Sequence, residues 1–387
     1  MWKLTTDQRL MLESIRKFMQ KEVAPFSQEM DETQTFRMEL KEKFAELGLY
    51  AGIVPLDFGG MGLDLTTFCL MIEEISKVDG SMGVIIQDNG TGLRPLLLCK
   101  DQRLKKEVFS RVVNHANCVG FAITEPQSGS DSASISTRAV RNGDRYILNG
   151  RKTFITNAGI SDYYLVFAVT EPGARHKGIT AFVVPADSPG LTVGKKENKL
   201  GLRASPTADI ILEDVEVPVS SRIDEEGSGF SFLMKTLDAS RPTIGAQALG
   251  IAEGALAYAL KYAREREQFG QPIMEFQGLQ FMMADMAAQI EAARALLYKT
   301  TYFYDDEFEN VTPYSAMSKL MCTDAAMNIT VEAVQILGGY GCMKDHPVER
   351  MMRDAKVTQI YEGTNQIQRV VIMKSLKRSG FPLGSAY

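Results

Sequence analysis

The chain has 387 residues, enough for two or three domains around a sizeable core, and its 45% hydrophobic and 24% charged residues indicate a folded globular protein. The formal net charge of −5 gives no electrostatic support for a nucleic-acid-binding protein. The five cysteines form no CxxC pair and are odd in number, which favours reduced thiols in a cytoplasmic protein over a disulfide framework.

The sequence lacks the common signatures of targeting, zinc binding and nucleotide binding. The first nine residues have no apolar core for a signal peptide, and the early acids Asp7, Glu13 and Glu22 disfavour a transit peptide. No uninterrupted apolar run approaches the ~20 residues that span a bilayer, and the three histidines have no zinc-type spacing. A P-loop and a strand-linked GxGxxG are both missing, so these motifs leave the question of a cofactor open.

The first part of the chain has a helical pattern. Leu10, Ile15, Phe18 and Met19 make one apolar stripe, and a turn cluster at residues 57–62 is followed by an apolar helix over residues 65–75. We therefore predict an N-terminal all-α domain over residues 1–117.

Short strand patterns begin near Cys118. Residues 119–124, 163–169, 179–184, 191–193 and 208–212 are predicted strands, and residues 146–157 are predicted to form a hairpin that turns at Asn149-Gly150. This spacing predicts a middle β-sandwich or β-barrel domain, which we place at residues 118–228.

The last part returns to long helical segments that are rich in Ala, Met and Leu. We predict helices over residues 232–237, 244–266, 276–303 and 311–337. Four such segments most simply form an antiparallel bundle, so residues 229–387 are predicted to be a C-terminal four-helix bundle.

The stretch Tyr361-Glu362-Gly363-Thr364 places one carboxylate on a break between two predicted helices. Gly363 suits the left-handed residue that ends a helix, and Thr364 can cap the next helix. A carboxylate fixed on such a corner suits a proton-abstracting base, whereas the simpler alternative is a solvated glutamate at a helix end.

Four further motifs are each weak when taken alone. The loop at residues 124–131 can cradle a phosphate or is a polar turn, and Phe154 with Thr156 can flank a flat heterocycle from one face of a strand. Arg266 can grip a pyrophosphate or offset a helix dipole. The glycines of residues 335–341 permit close approach of a backbone or a ligand.

Taken together, these motifs resemble the acyl-CoA dehydrogenases. The most specific stretches are FAITEPQSGSD at residues 121–131, the run from Gln268-Phe269-Gly270 to Met286-Ala287, and QIYEGTNQIQR at residues 359–369. The resemblance covers about residues 5–377 and includes the helical, β, helical order of the family.

The resemblance implies an enzyme that removes two hydrogens from an acyl-CoA with FAD as cofactor. Glu362 would take the α-proton and flavin N5 the β-hydride. The thioester carbonyl would be held by a flavin hydroxyl and the Glu362 backbone N–H, which stabilises the enolate, and an apolar pocket would raise the carboxylate pKa. The residues that the resemblance assigns to FAD within one subunit are Phe121, Ile123, Thr124, Gly129, Ser130, Phe154 and Thr156. Phe154 stands where the family often has Trp.

The resemblance also implies partners. Arg266, Phe269, Gln335 and Gly339 would act on FAD across a subunit interface, and Thr364 and Gln366 would close its adenosine end. The expected assembly is a dimer, commonly a tetramer built as a dimer of dimers, with an electron-transfer flavoprotein as electron acceptor. On the substrate side the resemblance places Ser130, Tyr361, Gly363, Asp238 and Arg241, although Arg241 can equally be a structural ion pair.

Asp88 is the residue that bears on substrate choice. It falls in the segment that floors the family's acyl pocket, where an unpaired carboxylate is costly to bury. Glutaryl-CoA members tend to carry an Arg shortly after the Asp-Gly turn, and this chain has none there, which disfavours a dicarboxylate. A branch that acts on cyclic acyl-CoA uses an Asp in this neighbourhood and lacks the Glu, so it matches only in part. We therefore expect a short, branched or alicyclic acyl group with Asp88 in the pocket, or else Asp88 as a helix-end or interface residue.

Two other functions are compatible with the resemblance. An acyl-CoA oxidase would return electrons to oxygen, but oxidases are usually longer. A flavin-bound scaffold or nucleic-acid-binding relative would have a basic C-terminal surface and would lack the catalytic carboxylate. Enoyl-CoA reduction, the reverse direction, depends on the electron partner and not on these residues.

Overall fold

The structure is a computed structural model that describes residues 3–379. The N-terminal part is helical, as predicted. Thr5 begins the first helix with a reciprocal capping box, in which its hydroxyl accepts from the Gln8 N–H and the Gln8 side chain accepts from the Thr5 N–H. The helices of this part are α1 (Thr6–Phe18), α2 (Ser27–Thr33), α3 (Glu39–Glu46), α4 (Leu65–Ser76), α5 (Gly80–Leu98) and α6 (Gln102–His115).

The middle part is a curled, mostly antiparallel sheet, in agreement with the predicted β domain. Its strands are β1 (Val119–Ala122), β2 (Arg138–Asn142), β3 (Arg145–Thr156), β4 (Tyr163–Val169), β5 (Ile179–Pro185), β6 (Leu191–Val193) and β7 (Thr207–Pro218). The strands are ordered β1-β4-β2-β3-β7-β6, and β5 pairs with β4. The apolar face of the sheet encloses its own core, in which the Tyr146 and Phe182 rings pack edge to face.

The predicted hairpin at Asn149-Gly150 is wrong. Residues Arg145–Thr156 form one long strand, and the hairpin turn lies earlier, between Asn142 and Arg145. Gly150 instead lies at a shift of register between β3 and β7. A Cβ atom at Gly150 would lie 2.4 Å from Thr137 Oγ1, so glycine is required there by the close approach of a neighbouring segment.

The C-terminal part is helical, with α7 (Gly229–Glu265), α8 (Gln277–Asp305), α9 (Val311–Leu337), α10 (Val348–Thr358) and α11 (Asn365–Ser379). Helices α7, α8 and α9 pack together, and α10 and α11 lie on α9. The segments predicted as separate helices at residues 232–237 and 244–266 are one helix that contains Pro242. Pro242 cannot donate to the Asp238 carbonyl, and the Ser315 hydroxyl donates to that oxygen instead at 2.6 Å.

Two buried ion pairs fix α10, and hence the turn that follows it, against the N-terminal helices. Arg350 Nη1 lies 2.6 Å from Asp79 Oδ2 at the start of α5, and Arg353 Nη2 lies 2.6 Å from Asp31 Oδ2 in α2. Removal of one partner of such a pair leaves a buried charge uncompensated. Among residues 3–379, no helix has the length and apolarity needed to cross a membrane.

Candidate active site

Glu362 lies on a tight turn between α10 and α11, as the sequence predicts. Glu362 and Gly363 both have left-handed backbone, with φ of 53° and 90°, and the Thr364 hydroxyl accepts from the Ile367 N–H at the start of α11. A non-glycine residue in this region is strained, so the turn persists only because its surroundings hold it. Gln368 Nε2 donates to the Gly363 carbonyl at 2.8 Å, and Lys319 Nζ donates to the same oxygen at 3.0 Å.

The Glu362 carboxylate is half-buried, and polar groups from two helices surround it. Ser240 Oγ on α7 donates to Glu362 Oε2 at 2.9 Å. Burial raises the pKa of Glu362, while the Ser240 hydrogen bond and the charges of Arg241 and Lys319 oppose that rise. The carboxyl group is therefore a stronger base than an ordinary surface glutamate, and it is fixed by the fold rather than by a mobile loop.

A second carboxyl group, that of Asp88, faces the same site. Asp88 lies in the middle of α5 and is only 7% exposed, so the alternative of a helix-end residue is wrong. Asn157 Nδ2 lies 3.4 Å from Asp88 Oδ2 and also donates to the Ile85 carbonyl at 2.9 Å. Burial and the Glu362 charge raise the pKa of Asp88 well above its usual value, which a bond from the Phe121 N–H partly opposes. The Glu362 charge therefore favours the neutral form of Asp88.

Tyr361 is anchored beside these two carboxyl groups. Its hydroxyl donates to Gln247 Oε1, and Gln247 Nε2 donates to the Gly80 carbonyl at 2.8 Å, where α5 begins. This chain of hydrogen bonds joins the Glu362 turn to α7 and α5. Arg241 follows Ser240 on α7 and is 5% exposed, with one weak contact to Asp238 at 3.4 Å and an unpartnered Nε.

The loop after β1 is held open by a buried ion pair. Lys152 Nζ and Glu125 Oε1 are 2.7 Å apart and almost fully buried, and Lys152 also donates to the Ile123 carbonyl. Burial raises the pKa of Glu125, but Lys152 and several hydrogen-bond donors lower it to about 2. Burial lowers the pKa of Lys152 to about 8, a shift that the Glu125 charge opposes. Thr124, Gly129 and Ser130 remain accessible on the loop, and a Cβ at Gly129 would meet nothing within 4 Å.

Phe154 and Thr156 lie at the end of β3, next to this loop. Phe154 occupies a bulge with φ of 57° and is 65% exposed, which is unusual for a large apolar side chain. Thr156 is half-buried. The ring of Phe121, in contrast, packs edge to face on Phe167 in the core, so its side chain is not available to a ligand.

Arg266, Phe269 and Gly339 line a separate groove of about 600 Å³. Phe269 lies on a two-residue turn between β8 (Glu267–Gln268) and β9 (Gln271–Pro272) and is 95% exposed. Gln335 lies in the last turn of α9, just before the Gly338-Gly339 segment. Ser240 and Arg266 are 26 residues apart on one helix, roughly 39 Å along its axis. One subunit therefore does not bring this groove to Glu362.

Several groups that complete the site were not assigned a role from the sequence. These groups are Ser240, Lys319, Gln368, Gln247 and Asn157, and they lie from 5 to 167 positions away from the residues they contact. Only the tertiary fold identifies them as neighbours of the two carboxyl groups. Thr364 and Gln366 lie at the start of α11, and Gln366 is exposed.

Three family models together match nearly all of the chain. The N-terminal domain of acyl-CoA dehydrogenase matches residues 5–115, the middle domain matches residues 120–215 and the C-terminal domain matches residues 227–377.

Individual relatives agree over the whole length. The cyclohex-1-ene-1-carbonyl-CoA dehydrogenase of Syntrophus aciditrophicus is 43% identical, with 96% of this chain and 90% of the relative covered. The structure of butyryl-CoA dehydrogenase from Megasphaera elsdenii has a TM-score of 0.95 and 39% identity, with 98% of this chain and 100% of that chain covered. A chain from the structure of the electron transferring flavoprotein of Acidaminococcus fermentans has a TM-score of 0.95 and 43% identity, over 98% and 100% of the two chains.

Proposed function

The chain belongs to the acyl-CoA dehydrogenase family, a family of FAD-dependent oxidoreductases, and from this membership we propose that Glu362 is the base that abstracts the α-proton of its acyl-CoA substrate. The observation that carries the proposal is the Glu362 turn itself. A half-buried carboxylate with a raised pKa is held on strained backbone by Lys319 and Gln368. Such a group is both more basic and better oriented than a surface glutamate.

The residues that would hold FAD fit a large flat cofactor. The 65% exposed Phe154 offers a ring face beside the open loop of Thr124 and Ser130, and Thr156 offers a hydroxyl next to it. Gly338 and Gly339, where a Cβ would meet nothing within 4 Å, leave room beside Arg266 and the 95% exposed Phe269. When bound, FAD supplies the acceptor for the β-hydride at its N5 atom.

The two halves of this cofactor site lie far apart in one subunit, so we propose that the FAD site is completed between subunits. Arg266, Phe269, Gln335 and Gly339 of one subunit would meet the Phe154 side of another. A dimer is the smallest assembly that does this, and a dimer of dimers is the larger one that we expect.

The chain's own groups account for the proton step. Ser240 orients the Glu362 carboxylate, and Arg241 and Lys319 favour its ionised form before the substrate proton arrives. Burial favours the neutral carboxylic acid, so it favours transfer of the α-proton to Glu362 as the enolate forms. The backbone N–H of Glu362 would bond the thioester carbonyl and so stabilise the developing enolate.

The buried carboxyl group of Asp88 supports the proposal that the substrate carries a short, branched or alicyclic acyl group. A long alkyl chain would gain little from a pocket that contains a buried carboxyl group, because such a group needs a polar partner. The relative from Syntrophus aciditrophicus is named for a cyclic acyl-CoA and the Megasphaera elsdenii structure for a four-carbon one. This chain retains both Glu362 and Asp88, and Asp88 would contact the β-side of the acyl group.

An electron-transfer flavoprotein is the proposed electron acceptor. The support is the likeness to a chain from the Acidaminococcus fermentans structure. Oxygen is the competing acceptor, and peroxide release per turnover distinguishes the two.

The experiment that tests the proposed function is reduction of the holoenzyme by acyl-CoA thioesters without oxygen. Butyryl-CoA, isobutyryl-CoA and cyclohexanecarbonyl-CoA should each be mixed with the enzyme while the flavin absorbance is followed. We expect at least one of them to bleach the flavin. If none does, although the protein is folded and loaded with FAD, the proposed function is wrong.

A further inference from the structure

Lys319 is a fully buried lysine next to the Glu362 turn. It lies on α9 with 0% of its surface exposed, and its Nζ donates to the Gly363 carbonyl at 3.0 Å and to Asn365 Oδ1 at 2.8 Å. Within the part of the chain that the structure describes, no carboxylate forms a direct ion pair with it. A buried ammonium group without a contacting counter-ion is costly and calls for an explanation.

The two acceptors of Lys319 lie on either side of the strained part of the turn. Gly363 directly follows Glu362, and Asn365 is the first residue of α11. Glu362 and Gly363 have φ of 53° and 90°. Left-handed backbone at Glu362 is unfavourable for an L-residue, and two hydrogen bonds from one rigid helix counteract the tendency of the turn to relax.

Lys319 also acts on Glu362 through its charge. Among the charges near Lys319, the Glu362 carboxylate raises the Lys319 pKa most strongly. The Lys319 charge in turn lowers the pKa of Glu362 and so favours the ionised carboxylate. The interaction is reciprocal, because each charge stabilises the other.

We propose that Lys319 is a positioning residue for Glu362: its buried ammonium group holds the turn that carries the carboxylate and keeps that carboxylate ionised between turnovers. This inference rests on the proposed role of Glu362. It deepens that role because it names the group that restores the base after each proton transfer. The proton that Glu362 accepts leaves to solvent, and the positive charge of Lys319 favours its departure.

The other charged groups that face this pair are few. Asp324 on α9 and Arg241 on α7 face Lys319, the first favouring its protonated form and the second opposing it. Glu362 faces Arg241 and Ser240 on α7, and Asp88 on α5 faces Glu362. Burial lowers the pKa of Lys319 to about 7, so Lys319 carries its charge on the acidic side of neutrality. The same acidic pH range is where Glu362 becomes protonated and loses its ability to act as a base.

Three substitutions separate positioning from charge. Lys319→Met removes the hydrogen bonds and the charge, Lys319→Gln can keep a hydrogen bond without the charge, and Lys319→Arg keeps the charge. We expect Lys319→Met and Lys319→Gln to move the acidic limb of the kcat/KM profile to higher pH, with roughly tenfold more activity lost at pH 6 than at pH 9. The acidic limb of the Lys319→Arg profile should lie closer to that of the wild type. At the plateau of the profile, kcat/KM should be higher for Lys319→Gln than for Lys319→Met.

A second measurement does not depend on activity. Between pH 7 and about pH 10 the unfolded chain binds a proton on Lys319 that the folded chain does not, because the folded pKa of about 7 lies below the usual lysine value of 10.5. The stability of the wild type should therefore rise with pH across this window relative to Lys319→Met. The thermal unfolding midpoints of the two holoenzymes, compared at pH 7, 8, 9 and 10, measure this difference.

The outcomes distinguish the inference from the proposed function. If Lys319→Met and Lys319→Gln are folded and loaded with FAD but keep the wild-type acidic limb, Lys319 is a structural residue only and the inference is overturned. If the wild type is not reduced by any acyl-CoA, the proposed function fails instead, and the unfolding measurement still reports on the buried ammonium group.

Discussion

Ser240 donates a hydrogen bond to Glu362 across 122 positions of sequence, with 2.9 Å between Ser240 Oγ and Glu362 Oε2. This bond joins the middle of α7 to the turn between α10 and α11. It stabilises the ionised form of Glu362, while burial of the same carboxyl group favours the neutral form. The basicity of the proposed catalytic group is thus set by a balance between burial and the polar groups of α7 and α9.

Ser240→Ala should shift the acidic limb of the kcat/KM profile to higher pH. Loss of the hydrogen bond removes one cause that lowers the Glu362 pKa, so a larger fraction of the enzyme is protonated and inactive at low pH. We expect roughly a tenfold loss of activity at pH 6 and a small change at pH 9.

Ser318→Ala is the matched control for this prediction. Ser318 is also a fully buried helical serine, but it bonds only the Ser315 carbonyl. Its substitution should leave the acidic limb where it is. Equal shifts in the two variants would show that the Ser240 bond has no specific effect on Glu362.

Gly363→Ala should lower kcat by roughly 10- to 100-fold, because a small displacement of a catalytic group has a large effect on rate. Gly363 has φ of 90°, and a Cβ atom there would lie 2.9 Å from Gln368 Nε2, which holds the turn. Steady-state kinetics on a reducing acyl-CoA measure the effect.

Gly278→Ala provides the comparison, since Gly278 is in α8 and a Cβ there would meet nothing within 4 Å. Alanine is favoured over glycine in a helix, so this variant should be at least as stable as the wild type. A Gly363→Ala enzyme with unchanged kcat would contradict the idea that this turn positions the base.

Asp88→Asn should change the preference between alicyclic and linear acyl-CoA. Burial and the Glu362 charge raise the pKa of Asp88 well above its usual value, which favours its neutral form. Asparagine has nearly the same shape but cannot gain or lose that proton. We expect the ratio of kcat/KM for cyclohexanecarbonyl-CoA over butyryl-CoA to fall about tenfold or more. An unchanged ratio would remove Asp88 from the mechanism.

Phe269→Ala and Arg266→Met should weaken FAD retention. Both side chains line the groove that is remote from Glu362 in the same subunit, and Phe269 is 95% exposed, so a cofactor or a partner subunit can cover its ring. The measurement is the FAD content per chain after extensive gel filtration. Leu56→Ala, at a 73% exposed position in the N-terminal part, is the control for loss of an exposed apolar side chain. FAD content equal to that of this control would contradict the proposed inter-subunit site.

Local residue chemistry explains what the sequence predicted well. Gly363 favours the left-handed backbone that ends a helix, and the Thr364 hydroxyl can cap the helix that follows. These local preferences were enough to predict the Glu362 turn from the sequence. The Asn149-Gly150 pair misled for the same reason, because it has the local signature of a hairpin. The contact of Gly150 with Thr137 depends on tertiary structure, which the local pattern does not contain.

Long-range contacts explain what the sequence missed. The sequence predicted two helices over residues 232–237 and 244–266, and only the position of Ser315 on α9 shows how one helix accommodates Pro242. Lys319 and Ser240 were not singled out from the sequence, and Gln368 was only one residue of the stretch at residues 359–369. Their roles follow from the way α7, α9 and α11 meet around the turn, and burial of an ammonium group next to a carboxylate is visible only in three dimensions.

The central claim is that Glu362 is the proton-abstracting base, and Glu362→Gln tests it most directly. Glutamine keeps the size of the side chain and can still contact Ser240, but it cannot accept the α-proton. Rapid mixing of the FAD-loaded variant with an acyl-CoA that reduces the wild type measures the rate of flavin bleaching. The account predicts a loss of roughly 10²- to 10⁴-fold with FAD and acyl-CoA still bound. Bleaching at the wild-type rate would contradict it.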